Sequence, residues 1–154
     1  MIGLRQLVLL TAFLVLLQPA TGSAFCFREA AELYGVPAEL LIAIARVESG
    51  MDPNALNVNR DGSVDVGLMQ VNSAWESRLG PGWEAIEDPC FNVMVGAWIL
   101  RQCIDRYGIS WDAVSCYHTG RPYSRLSGTV KRLTWRYLRR VAVELQRLGP
   151  VSVP

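Results

Sequence analysis

Apolar positions recur with a helical period through most of the chain beyond residue 25. "FREAAELYG" (27–35) reads as a short helix closed by Gly35. "VPAELLIAIARVESG" (36–50) reads as a second, with Pro37 suited to the first turn and Gly50 to the exit. The pattern then breaks. From Asp52 to Asp65 the residues are polar and turn-forming, and "RDGS" (60–63) supplies an Asp-Gly pair of the kind that closes a tight hairpin, so a small β-ribbon is expected there. "VGLMQVNSAWESRL" (66–79) reads as a resumed helix and "GPGWEAIEDP" (80–89) as a loop. "CFNVMVGAWILRQCIDRYG" (90–108) is a strongly apolar helix ending at Gly108 and belongs at the centre of the core. "SWDAVSCYHTG" (110–120) is a further short helix with Ser110 as its N-cap. "TWRYLRRVAVELQRLG" (134–149) is amphipathic through Leu138, Val141, Leu145 and Leu148. With no internal repeats, the expected fold class is a single α+β domain dominated by α-helix.

One position conflicts with this pattern. Counting back from Glu48 along a 3.6-residue period reaches Ile44 and Leu41, so a carboxyl shares a helix face with the most apolar side chains of the segment. Withdrawal from water disfavours the charged form and raises the pKa towards the range where a carboxyl donates a proton, as glycosidic-bond cleavage requires. The alternative is a helix-terminal Glu that faces solvent or pairs with Arg46.

The first two dozen residues stand apart. Arg5 is a positive n-region, Leu7 to Leu17 a short apolar run, and "ATGSA" a small-residue exit, which together predict a signal peptide at 1–24 cleaved after Ala24. The apolar run is shorter than the ~20 residues of a spanning helix, so no stable membrane anchor is expected after cleavage. That leaves a domain at 25–149 and a short tail at 150–154. Cys26, Cys90, Cys103 and Cys116 all fall in the exported part, where an even set pairs into disulfides. The absence of a CxxC motif and the single histidine, His118, argue against a metal site. Cys90 and Cys103 sit near opposite ends of one helix, too far apart to bridge. Of the two pairings that remain, Cys26 with Cys90 and Cys103 with Cys116 is preferred. The formal charge of +1 conceals a basic stretch: eight Lys or Arg lie between Arg121 and Arg147 against one acid, Glu144. It reads first as a solvated face and second as an attraction for a polyanion, with no nucleic-acid motif beside it.

"GLMQVN" adds Met69, which could lie against a sugar face, and Gln70 and Asn72, neutral hydrogen-bonding groups suited to sugar amides and hydroxyls. Each has a plainer reading, as core filler, surface residue and turn residue. In order, "ESG" with the ensuing "MDPNA", "GLMQVN", "SCYHTG" and "TWRYLRRV" resemble the motifs of lytic transglycosylases with the goose-lysozyme-like SLT fold. "CF" at the mature start, Asn and Asp positions before GLMQ, and "DPCFNVMVGAWIL" resemble the small secreted members found beside conjugation, pilus and secretion machines. The likeness spans Cys26 to about Leu145.

The resemblance implies a lysozyme-like fold with a small β-ribbon, no cofactor, and peptidoglycan glycan strands as substrate. It makes Glu48 the sole catalytic acid/base and Gln70 and Asn72 substrate contacts. Tyr117 matches the tyrosine of the family's AYN-type motif, and Tyr137 the last-helix tyrosine that faces the catalytic carboxyl. His118 stands where many relatives carry Asn, and Cys116 where many carry Ala, so His118 is either a substrate contact or a structural imidazole. The implied setting is the periplasm, with components of an envelope-spanning machine as partners and no nucleic acid. The implied reaction needs no second carboxylate because the muramoyl C6 hydroxyl, not water, attacks C1. A hydrolytic muramidase would need one, from Asp52, Asp61 or Asp65. Two non-enzymatic readings remain. Asn57 to Leu68 approaches a twelve-residue calcium loop but carries Leu68 where a bidentate Glu belongs; a wall-binding module without catalysis would have no need of Glu48.

Overall fold

The computed structural model describes residues 25–149. The signal peptide expected at 1–24 and the tail at 150–154 lie outside the described residues. Among the described residues, six α-helices and a three-stranded antiparallel ribbon follow in the order α1 (Phe27–Tyr34), α2 (Ala38–Glu48), β1 (Leu56–Val58), β2 (Val64–Val66), β3 (Val71–Asn72), α3 (Glu76–Leu79), α4 (Pro89–Tyr107), α5 (Trp111–Thr119) and α6 (Gly128–Leu148). Among the described residues no helix is long and apolar enough to cross a membrane.

Local chemistry places the helix ends. Gly35 closes α1 in the left-handed region at φ 59°, returning its N–H to the Ala31 carbonyl. At α4, Pro89 occupies the first turn and Asp88 accepts from the Phe91 N–H at 2.7 Å; at α5 the Ser110 hydroxyl accepts from the Ala113 N–H at 3.3 Å. The ribbon pairs Asn57 with Asp65 and Asp65 with Asn72, and Asp61 and Gly62 lie in its first turn.

Helix α4 is the axis of the core. Val93, Ala97 and Leu100 are fully buried on it, α1 and α5 pack against it, and α2 packs against α6. Leu41 and Ile44 of α2 are likewise fully buried, each worth about 1.5–3 kcal/mol of removal from water. Disulfides join Cys26 to Cys90 and Cys103 to Cys116, so α4 is tied to the start of α1 and to α5.

The helix expected over 66–79 does not form. Gly67 and Gln70 take left-handed backbone angles, φ 73° and 46°, and the chain turns into β3 and a 3-10 turn at Ser73–Trp75 before α3 begins. Asn92 on α4 is the reason. Its amide donates to the Val66 and Ile86 carbonyls at 2.8 and 3.1 Å and accepts the Met69 N–H at 2.8 Å, bonding the turn as a continued helix would not. A Cβ on Gly67 would lie 2.6 Å from the Asn92 amide, and one on Gly96 would lie 2.7 Å from the Met69 side chain. Two glycines therefore let the GLMQ turn sit flush on α4. The loop expected over 80–89 contains a 3-10 helix at Gly80–Ala85.

Candidate active site

Glu48 is the last residue of α2, and the chain leaves the helix immediately after it. The Ser49 hydroxyl donates to the Leu68 carbonyl at 2.9 Å, with the Ala45 carbonyl 3.1 Å away as the alternative acceptor. The "ESG" corner is thereby tied to the GLMQ turn. Arg140 on α6 secures the same corner by donating to the Val47 carbonyl at 2.9 Å. The Glu48 side chain is 16% exposed. Its pKa is raised to about 7, first by burial, with the nearby Asp65 charge adding to the effect; the Tyr137 hydrogen bond and Arg140 act in the opposite direction. Its position at a helix C-terminus, where the carbonyl dipoles point, also disfavours the anion.

The wall behind Glu48 is aromatic. The Tyr137 hydroxyl donates to Glu48 Oε1 at 2.7 Å, and the His118 ring stacks on Tyr137 with centroids 3.9 Å apart and planes 5° from parallel. His118 Nδ1 lies 4.0 Å from Glu48 Oε1. Desolvation lowers the His118 pKa, with Asp65 opposing and Arg140 reinforcing the shift, so at neutral pH the imidazole is a dipole rather than a counter-ion. Burial, reinforced by the Glu48 charge, pushes the Tyr137 hydroxyl well above its usual range and keeps it a donor. Tyr117 is also held protonated, chiefly by burial, and donates to the Met69 carbonyl at 2.6 Å.

In front of Glu48 lies an open cleft of about 950 Å³, lined by Glu48, Asp65, Gln70, Asn72, Tyr117 and His118 among others. The structure thus gathers five of the seven singled-out residues around one space and puts Tyr137 behind it. Met69 differs. Its side chain is fully buried against Gly96, so the expectation that it lies against a sugar face is corrected: what it offers the site is its carbonyl, the acceptor for Tyr117. Gln70 donates from Nε2 to the Gly67 and Ala55 carbonyls at 2.9 and 3.2 Å and fixes the ribbon to the turn. Asn72 accepts the Ala74 N–H at 2.9 Å and donates to Asp65 Oδ1 at 2.7 Å and Ser63 Oγ at 3.0 Å.

Of the carboxylates considered for a second role, only Asp65 reaches the cleft. Asp52 accepts the Asn54 N–H at 2.9 Å, and Asp61 accepts from the Ser63 N–H and hydroxyl, which lowers its pKa; both serve turns. Among the described residues the Asp65 carboxylate accepts from no backbone amide, although it sits inside the ribbon. Side-chain amides hold it instead: Asn72 at 2.7 Å, Asn59 at 2.9 Å and Asn57 at 3.4 Å. The calcium-loop alternative loses its twelfth place to the core, where Leu68 is fully buried. Among the described residues no group of three or more His, Cys, Asp or Glu is placed to hold a metal ion.

Periodicity did not single out Trp75, Arg78, Gln102 and Arg106, which also line the cleft. Trp75 meets the edge of Trp98 with ring centroids 5.4 Å apart, and the Arg78 guanidinium lies 5.2 Å from the Trp75 centroid. The available signal was weak: two tryptophans in segments that otherwise read as an ordinary helix face.

A buried glutamate with a pKa raised to about 7, beside an open cleft of a helical fold with a β-ribbon, is the arrangement of a glycan-cleaving enzyme. The chain belongs to the transglycosylase SLT domain family, whose profile matches residues 25–129. It is a lytic transglycosylase with a lysozyme-like fold. It is 38% identical over 141 residues to the invasion protein IagB of Salmonella typhi, covering 89% of this chain and 85% of that one. It is also 42% identical over 106 residues to the protein IpgF of Shigella flexneri, covering 66% of this chain and 70% of that one. The X-ray structure of an inactive mutant of the lytic transglycosylase Slt from Pseudomonas aeruginosa superposes with a TM-score of 0.64 at 20% identity, covering 88% of this chain. The chain spans 25% of the Slt chain, and the likeness is one of fold.

Proposed function

We propose that this enzyme cleaves the β-1,4 bond between N-acetylmuramic acid and N-acetylglucosamine and leaves 1,6-anhydromuramoyl ends, with Glu48 as its one acid/base. The observation that carries this reading is the Glu48 carboxyl, with a pKa of about 7 and an oxygen accepting from Tyr137 beside the cleft. The protonated carboxyl gives its proton to the bridging oxygen as the C1–O bond breaks, and the N-acetylglucosamine side leaves as an alcohol. The muramoyl C6 oxygen then bonds to C1, and the C6 hydroxyl proton passes to the Glu48 carboxylate, restoring the acid. Water is not consumed. A pKa near 7 suits a group that must both donate and recover a proton in one turnover. The substrate's acetamido group can stabilise the developing positive charge, which makes a second carboxylate dispensable.

Gln70, Asn72, Tyr117 and His118 are the proposed sugar-facing residues, with Tyr137 orienting the acid. The enzyme is read as exported to the periplasm behind its 1–24 leader, opening the wall locally for an envelope-spanning apparatus. The name of the relative IagB, an invasion protein, fits that setting.

Digestion of purified sacculi followed by mass measurement of the muropeptides tests the reaction: anhydro ends lighter by one water are expected. One observation favours a second reading. Asp65 lines the same cleft as Glu48, as a hydrolytic muramidase would require, and reducing ends in the same digest would establish that chemistry.

A further inference from the structure

The lining of the cleft is chemically mixed. Glu48 and the Asn-held Asp65 supply its carboxyl groups, whereas Arg78 from α3, Arg106 and Gln102 from the second half of α4, and the Trp75 ring supply cationic, amide and aromatic groups. Arg78 Nη1 donates to Gln102 Oε1 at 3.5 Å, and Arg106 follows Gln102 one helical turn on, so the two arginines flank a single amide. Both are exposed, and among the described residues neither has a carboxylate within salt-bridge distance. The contrast with neighbouring Arg101, which is ion-paired to Asp105 on the same helix, is direct.

Two uncompensated guanidinium groups have little to recognise in a neutral sugar chain. In peptidoglycan the lactyl groups are amide-linked, so the negative charge of the polymer resides on the carboxylates of the attached peptides. Those peptides recur on every second sugar, and a cleft that extends beyond the bond being cut carries one along its length. From this we infer that Arg78 and Arg106 form a carboxylate-binding subsite for the peptide on a muramoyl residue, making the enzyme selective for peptide-bearing over naked glycan strands. The inference rests on the peptidoglycan reading above. Guanidinium groups suit the task because their planar fork matches a carboxylate bidentately. Trp75 holds the Arg78 head in place through its ring face, and among the described residues Nη1 alone of the guanidinium N–H groups is engaged, by the long 3.5 Å bond to Gln102. A solvated, purely structural arginine rim is the competing account.

The test compares intact glycan strands with strands stripped of peptide by an amidase and then capped as neutral amides at the lactyl carboxylates this exposes, using wild type, Arg78→Gln, Arg106→Gln and the double variant. An exposed ion pair is worth ~0.2–1 kcal/mol, so each arginine should contribute about a 1.4- to fivefold preference for intact strands. The preference should appear in KM rather than kcat and shrink with added salt. It should approach parity in the double variant, whose thermal midpoint should stay at the wild-type value because both side chains are exposed. An unchanged preference in the double variant, or an equal rise of KM on both substrates, would overturn the subsite. Failure of the catalytic reading looks different: neither substrate releases product. Binding of the same variants to intact and stripped strands then still decides whether the arginines read peptide.

Discussion

The Tyr137 hydroxyl on α6 donates to Glu48 Oε1 on α2 at 2.7 Å, across 89 positions of sequence. The bond favours the ionised carboxylate and opposes the effect of burial, so the pKa of about 7 reflects the opposing contributions. Tyr137→Phe removes the lowering contribution and leaves the burial. The alkaline limb of the kcat/KM profile should therefore move to higher pH, while kcat at pH 6 falls about ten- to a hundredfold as the acid loses its orienting partner. A profile superimposable on wild type would show that Tyr137 does not act through Glu48.

Glu48→Gln tests both the acid and its cost to the fold. The variant should bind glycan strands and release no product. In wild type the folded-state pKa of about 7 exceeds the reference value of 4.5, so between those pH values the native state holds a proton that the unfolded chain has lost. Stability contributed by Glu48 is therefore fully present below about 4.5 and is lost as pH rises through 7. Gln keeps the acceptor for Tyr137 without the charge. Denaturant titrations should find the variant equal to wild type at pH 4 and more stable at pH 8, by up to about 3 kcal/mol. Equal stability at both pH values would mean that burial does not strain this carboxyl.

Much of this was legible from periodicity. Glu48 stood out because it shared a face with Leu41 and Ile44, and the structure buries both. Ser110, Gly35 and the hairpin at Asp61-Gly62 were readable because caps and turns are decided within a few residues. The GLMQ turn was not readable in this way: "VGLMQVNSAWESRL" has acceptable helical spacing, and what breaks it is Asn92, more than twenty positions away, taking the Met69 N–H. The same long-range contact reversed the role of Met69, whose neighbour across the core is Gly96. The arginines of the cleft were hidden for a related reason, since Arg78 and Gln102 meet across 24 positions of sequence.

The GLMQ turn should accordingly fail as a unit when its seat on α4 is changed. Gly96→Ala puts a methyl 2.7 Å from the Met69 side chain, an overpacking that costs about 1–3 kcal/mol. Asn92→Leu leaves the Met69 N–H and the Val66 and Ile86 carbonyls unpartnered in the core, at about 1–3 kcal/mol for each group left unsatisfied. Chemical denaturation should rank Asn92→Leu below Gly96→Ala. Both variants should also lose activity beyond what their folded fraction explains, because Met69 supplies the acceptor for Tyr117.

Asp65 is where the two candidate reactions diverge. Its charge raises the Glu48 pKa, and three asparagines hold it in the cleft without neutralising it. Asp65→Asn removes the charge while retaining the side-chain shape. In either mechanism the alkaline limb of kcat/KM should then move to lower pH, because one of the causes that keeps the Glu48 proton in place is gone. The rate separates the mechanisms. A carboxylate that activates water or stabilises the cation is worth roughly a hundredfold or more, whereas internal attack by the C6 hydroxyl makes no such demand. On the transglycosylase reading the variant keeps kcat within about tenfold at the pH where Glu48 is protonated and still yields anhydro ends. A collapse of kcat at every pH, with reducing ends in the wild-type digest, would identify Asp65 as the second carboxylate of a muramidase.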